Sequence, residues 1–134
     1  MKSIKSIINQ VKSKIMSTTS TKIGNGINYF LSAVLIISGT LKLIQLEPYM
    51  EVVKGLNPNY YENIYLIGFV ALISGILFAI PKTFTYGFIA TLAFLGGTIS
   101  AHMQAGDVFI PQIVFVFLTG LTAYLKKPEW FTTK

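Results

Sequence analysis

The 134 residues contain no cysteine. That excludes disulfides, thiol redox chemistry and thiolate metal sites together. Arginine is also missing, since all 11 basic residues are lysine, so the chain lacks the bidentate fork that usually grips phosphates and carboxylates. There is one histidine, His102, too few for a bis-histidine haem or a multi-histidine metal site within one chain. Charge is scarce too: 12% of residues are charged, against about 25% in a typical soluble domain.

What is present is apolar. Hydrophobic residues make up 52% of the chain and the mean hydropathy is +0.61. A water-soluble fold of this length would struggle to hide so much apolar surface, so the composition points to a single-domain membrane protein. The net charge of +6 comes from lysines that flank apolar segments. They form no basic patch with interleaved aromatics, so anionic lipid is the expected counterpart and nucleic acid is not. A soluble enzyme is set aside as well. No Ser/His/Asp spacing stands out, and "KIGNGI" at 22–27 precedes an apolar run where a phosphate loop would follow a strand.

The N-terminal "MKSIKSIINQVKSKIM" places Ile4, Ile7, Ile8, Val11 and Ile15 at helical spacing, with Lys2, Lys5, Lys12 and Lys14 elsewhere around the wheel. It is too broken by charge to span a bilayer and lacks a signal-peptide cleavage site. It is expected to lie in the headgroup region as an amphipathic helix, its lysines on anionic lipid. "STTSTKIGNG", residues 17–26, then reads as a polar connector. Residues 1–23 thus form the cytoplasmic-face helix and connector, and residues 24–134 the membrane domain.

Four apolar segments follow, at 27–46, 64–80, 84–103 and 108–125. Each approaches the length a bilayer core requires, and helices are the expected form because backbone groups in lipid must be satisfied within the segment. The expected fold is therefore all-α: a four-helix transmembrane bundle preceded by the interfacial helix. Lysine counting orients it. Lys2, Lys5, Lys12, Lys14, Lys22, Lys82, Lys126, Lys127 and Lys134 fall on one side, while Lys54 falls on the other with Glu47, Glu51, Glu62 and Asp107. Both termini are then cytoplasmic. The outer loop, with Tyr49, Val52, Val53 and Leu56 on one side of a short helix, is expected in the outer interface, where Tyr60, Tyr61 and Tyr65 are at home. Trp130, after Pro128, reads as an inner interfacial anchor.

Small residues recur every fourth position: Ala71, Gly75 and Ala79 in the second span, and Ala93, Gly97 and Ala101 in the third. Such rows let helix backbones approach closely, on each other or on another subunit. Polar residues also share faces: Asn28, Ser32, Gly39 and Lys42 with Leu35 in the first span, Thr91, Thr98 and His102 in the third, and Gln112 and Thr119 in the fourth. Lys42, His102 and Asp107 fall at a similar depth near the outer end, with Glu47 close by. They form the candidate ligand or proton site. The structural alternatives are a snorkelling Lys42, an interhelical hydrogen bond for His102, and a solvated or capping role for Asp107.

Together, "SGTLKL" at 38–43 and "SAHMQAGD" at 100–107 resemble the DoxX-like family of small bacterial membrane proteins, over about residues 26–125. The matching elements are Gly39, Lys42 and Leu43 at the end of the first helix, Gly68, Gly75 and Pro81 in the second, and His102, Gly106 and Asp107 after the third. The resemblance implies a four-helix bundle in the inner membrane. Some relatives are small subunits of quinone-linked oxidoreductases such as thiosulfate:quinone oxidoreductase, and others are membrane partners of redox-defence proteins. Many members carry a glutamate where this chain has Ala71 after Gly68, and its absence argues against catalysis. Two functions are weighed first, an accessory subunit packing with partner proteins, without catalysis or cofactor of its own, and a quinone-interacting subunit using His102 and Lys42, with transport or small-ligand binding as the remaining reading. Histidine suits the latter because its unperturbed pKa of about 6.5 lets small environmental shifts control its charge.

Overall fold

The structure is a computed structural model. It describes residues 3–56 and 58–132, the side chain of Tyr60 excepted. The described residues are all-α. Helix α1 spans Ile4–Leu43, α2 Glu47–Leu56, α3 Pro58–Glu62, α4 Ile64–Ala79, α5 Phe84–Gln104 and α6 Ile110–Lys126. Short 3-10 turns at Pro81–Thr83 and Pro128–Phe131 follow α4 and α6.

Helix α1 overturns the expected connector. Its 40 residues run unbroken through 17–26, about 60 Å at 1.5 Å per residue. The hydroxyls expected to favour a turn bond back to the preceding turn instead: Thr18 donates to the Lys14 carbonyl at 2.9 Å and Thr21 to the Ser17 carbonyl at 3.0 Å. Bonds of this kind keep a hydroxyl inside a helix. Gly24 is no break either, because α1 seats there on the end of α6. A Cβ at Gly24 would lie 2.8 Å from Lys126 Cγ. The 23/24 boundary therefore falls inside a helix. Of the four lysines assigned to lipid, Lys2 lies outside the described residues, and Lys5, Lys12 and Lys14 are exposed on this N-terminal extension.

The four long helices close a ring. Helix α1 packs on α4, α4 on α5, α5 on α6, and α6 back on α1, the α1–α4 contact being the most extensive. Pro81 starts the turn that reverses the chain between α4 and α5, and Gly106, at φ +70°, turns it between α5 and α6. At one end the core is aromatic. Phe78 stacks on Phe84 at 5.2 Å, and Trp130 folds back to lie 5.9 Å from Phe84 and 5.5 Å from Phe88. At the other end α2 folds over the ring, with Met50 and Val53 buried beside Ile64. The inward face of α2 is thus Tyr49, Met50 and Val53, while Val52, expected with them, is 69% exposed.

The small-residue rows separate. Gly75 packs against Leu35, Ile36 and the Ser32 carbonyl of α1, whereas a Cβ on Gly97 would meet nothing within 4 Å. The row on α4 therefore serves α1, and that on α5 lies open, so the two rows do not meet. The α4–α5 contact uses Gly87 instead, where a Cβ would run into the backbone of Leu77 and Phe78. Two stretches, Ile4–Leu43 and Pro81–Gln104, are long and apolar enough to cross a membrane, while α4 and α6 are shorter apolar helices of 16 and 17 residues.

Candidate functional site

The ends of α1, α5 and α6 meet under α2 around a cavity of about 140 Å³. Close approach of α1 and α4 fixes the Lys42 stem beside it. Gly39 and Gly68 face each other, so a Cβ on Gly39 would lie 2.6 Å from the Gly68 carbonyl oxygen and one on Gly68 2.8 Å from Lys42 Cβ. With no side chain to hold the helices apart, the Lys42 stem is sealed between them.

Lys42 is 2% exposed and does not snorkel. Its ammonium donates to the Ser38 hydroxyl at 2.6 Å and to the Tyr49 hydroxyl at 2.8 Å, while its third hydrogen reaches only the Ser38 carbonyl at 3.5 Å. Among the described residues no carboxylate lies within ion-pair distance of it: Asp107 lies against His102 at 3.2 Å, and Glu47, expected nearby, stays exposed at the start of α2. A cation in the last turn of a helix gains about 0.3–1 kcal/mol from the helix dipole. Removing an ammonium from water costs several kcal/mol, so the dipole does not offset the burial. The charge is held largely by two neutral hydroxyls.

His102 and Lys42 line the same cavity, with Ser38, Tyr49, Thr98 and Gln112. The rest of the lining is apolar, from Val34, Leu35, Phe94, Leu95 and Phe115 on α1, α5 and α6. His102 Nδ1 lies 3.2 Å from Asp107 Oδ2, and its Nε2 lies 3.1 Å from Gln112 Nε2. With the amide nitrogen of Gln112 turned to the ring, Nε2 accepts and Nδ1 donates toward Asp107; with the amide flipped, its oxygen would accept from a protonated Nε2 instead. The first orientation leaves the Gln112 carbonyl oxygen buried without a partner, and the second gives it one. His102 also lines a second hollow of about 380 Å³, with Val52, Leu56 and Asp107, at the α2 end of the ring. Its ring stands between the chamber and the surface.

Asp107 does not cap α6. The N-cap is Phe109 and makes no side-chain bond, and the Asp107 side chain, 52% exposed, turns back to His102. All three candidate residues thus belong to one arrangement, with Lys42 inside, His102 in the wall and Asp107 outside. Ser38 and Tyr49 were missed. Ser38 precedes Lys42 by four residues, a helical spacing that places both on one face. Tyr49 left no such signal, because the turn at Gln45, where φ is +50°, breaks the periodicity before α2.

No protein-family model, no curated protein and no solved structure matches the chain.

Proposed function

We propose that the chain is an integral protein of the bacterial inner membrane, crossing it four times with both termini cytoplasmic. In this reading it is an accessory subunit that packs with partner proteins in a membrane complex. The observation that carries the proposal is an inverted distribution of polarity. Asn28, Ser32, Lys42, Ser74, Thr91, Thr119 and Thr122 are buried, while α4 is apolar on every side and still exposes Tyr65, Leu66 and Phe69 by 55–63%. Lipid is the solvent that suits such a surface. Helices α4 and α6 reach about 24–26 Å, a few Å short of a hydrocarbon core of about 30 Å. Bilayer thinning absorbs such a mismatch at a fraction of a kcal/mol per Å. The Gly39–Leu43 and His102–Asp107 elements support membership of the DoxX-like family as part of the same reading.

Two open surfaces support the subunit role. The exposed Ala93 and Gly97 border an apolar groove of about 280 Å³ with Leu66, Ile67 and Val70 of α4, the kind of surface against which a partner helix packs closely. The N-terminal extension of α1 exposes Ile4, Ile8, Val11 and Ile15 by 48–77%. Because α1 is unbroken, this extension continues past the ring, which suits a partner at the cytoplasmic face as well as a lipid surface. Purification of a tagged chain in mild detergent is expected to recover a stoichiometric companion, and Gly97→Leu to lose it while the chain still folds. A chain that always elutes alone overturns the subunit reading.

A second reading, contact with a quinone, is favoured by the convergence of Lys42 and His102. At about 140 Å³, the chamber is well below the roughly 300 Å³ of ordinary ligand pockets, so a quinone would present one carbonyl oxygen to His102 from the rim. His102→Ala would then abolish quinone-dependent turnover of the complex, and unchanged turnover removes this reading.

A further inference from the structure

We propose that the chamber behind His102 binds a small monovalent carboxylate of acetate or propionate size, with its head on Lys42. This goes beyond the subunit reading and requires only the chain itself. Four observations converge on it. Lys42 is 2% exposed, and its neighbours in the chamber carry no negative charge, so a single positive charge stands there without a counter-ion. His102 is already paired with Asp107. A monoanion therefore leaves the chamber neutral, while a dianion would leave it with a buried negative charge.

Donors are also in hand. The third hydrogen of the Lys42 ammonium reaches only a carbonyl at 3.5 Å, and the Tyr49 hydroxyl accepts from Lys42, which leaves its own hydrogen to donate. The volume of about 140 Å³ equals the share of four to five waters at roughly 30 Å³ each, the size of a ligand with about as many heavy atoms. Finally, the chamber is polar at Lys42 and apolar at Val34, Phe94 and Phe115, so a carboxylate head and a short hydrocarbon tail both find matching walls. His102, shared with the rim hollow, marks the way in.

The test uses the isolated chain in an uncharged detergent, at fixed ionic strength set with sodium gluconate. Sodium acetate and sodium propionate should raise the thermal midpoint in a saturable way, propionate at the lower concentration, and should shift the ¹⁵N signal of the Lys42 ammonium. Lys42→Met should raise the half-saturating concentration at least tenfold, and Tyr49→Phe, which keeps the charge, several-fold. The proposal is overturned by a midpoint and a Lys42 signal indifferent to both carboxylates. It is equally overturned by an undiminished response in Lys42→Met, which places the anion elsewhere, or by chloride acting as well as propionate, which marks a halide site. Recovery of a companion subunit is a separate measurement, so either idea can fail alone.

Discussion

Lys42 and Ala71 show what residue identity does and does not reveal. Lysine at position 42 fits a snorkelling helix end as well as a buried donor, and only the Gly39–Gly68 contact decides between them. Ala71 is completely buried and does not line the Lys42 chamber, so its identity says nothing about the charge there. His102 was legible as a singular residue, but its partners were not, since Gln112 lies ten residues away on another helix. Its geometry makes a specific prediction. With Gln112 donating to Nε2, ¹⁵N NMR of histidine-labelled protein at pH 8 should show a protonated Nδ1 and a bare Nε2. Asp107→Asn should leave the thermal midpoint within a few degrees, since an exposed pair contributes about 0–1 kcal/mol. A protonated Nε2 in the neutral ring would refute that orientation and mark the flipped amide.

Among the elements, the apolar segments marked α4, α5 and α6 to within a few residues, because their ends carry Pro81, Gly106 and Lys126. The segment at 17–26 misled. Ser, Thr and Gly there favour turns in isolation, yet Thr18 and Thr21 bond within the helix and Gly24 is used for packing. The roles of the small residues were legible only as a repeat, since spacing does not say which neighbour a row will meet. The glycines now separate into two sets. Gly39→Ala and Gly87→Ala push a methyl into backbone and should each cost about 1–3 kcal/mol. Gly97→Ala, with nothing within 4 Å, should be neutral or stabilise by up to about 1 kcal/mol through helix propensity. Unfolding in detergent reads all three, and equal effects at the three sites would contradict the packing described.

At the scale of the molecule, composition anticipated an all-helical chain with polar groups inside, and the ring of α1, α4, α5 and α6 has that form. Composition could not show that α1 continues past the ring, or that Tyr49 of α2 closes the Lys42 chamber, because both depend on how non-adjacent elements meet. The claim on which the rest depends is that the ring sits in a bilayer with Lys54 on one side and Lys82 and Lys127 on the other. The absence of cysteine makes it directly measurable, since any introduced thiol is unique. Lys54→Cys, Lys82→Cys and Lys127→Cys, each expressed in intact cells and exposed to a membrane-impermeant maleimide, report which side each position faces. Labelling of Lys54→Cys alone, with the other two reacting only after the membrane is opened, is the predicted result. Labelling of all three in intact cells, or recovery of the chain in the soluble fraction, would contradict it.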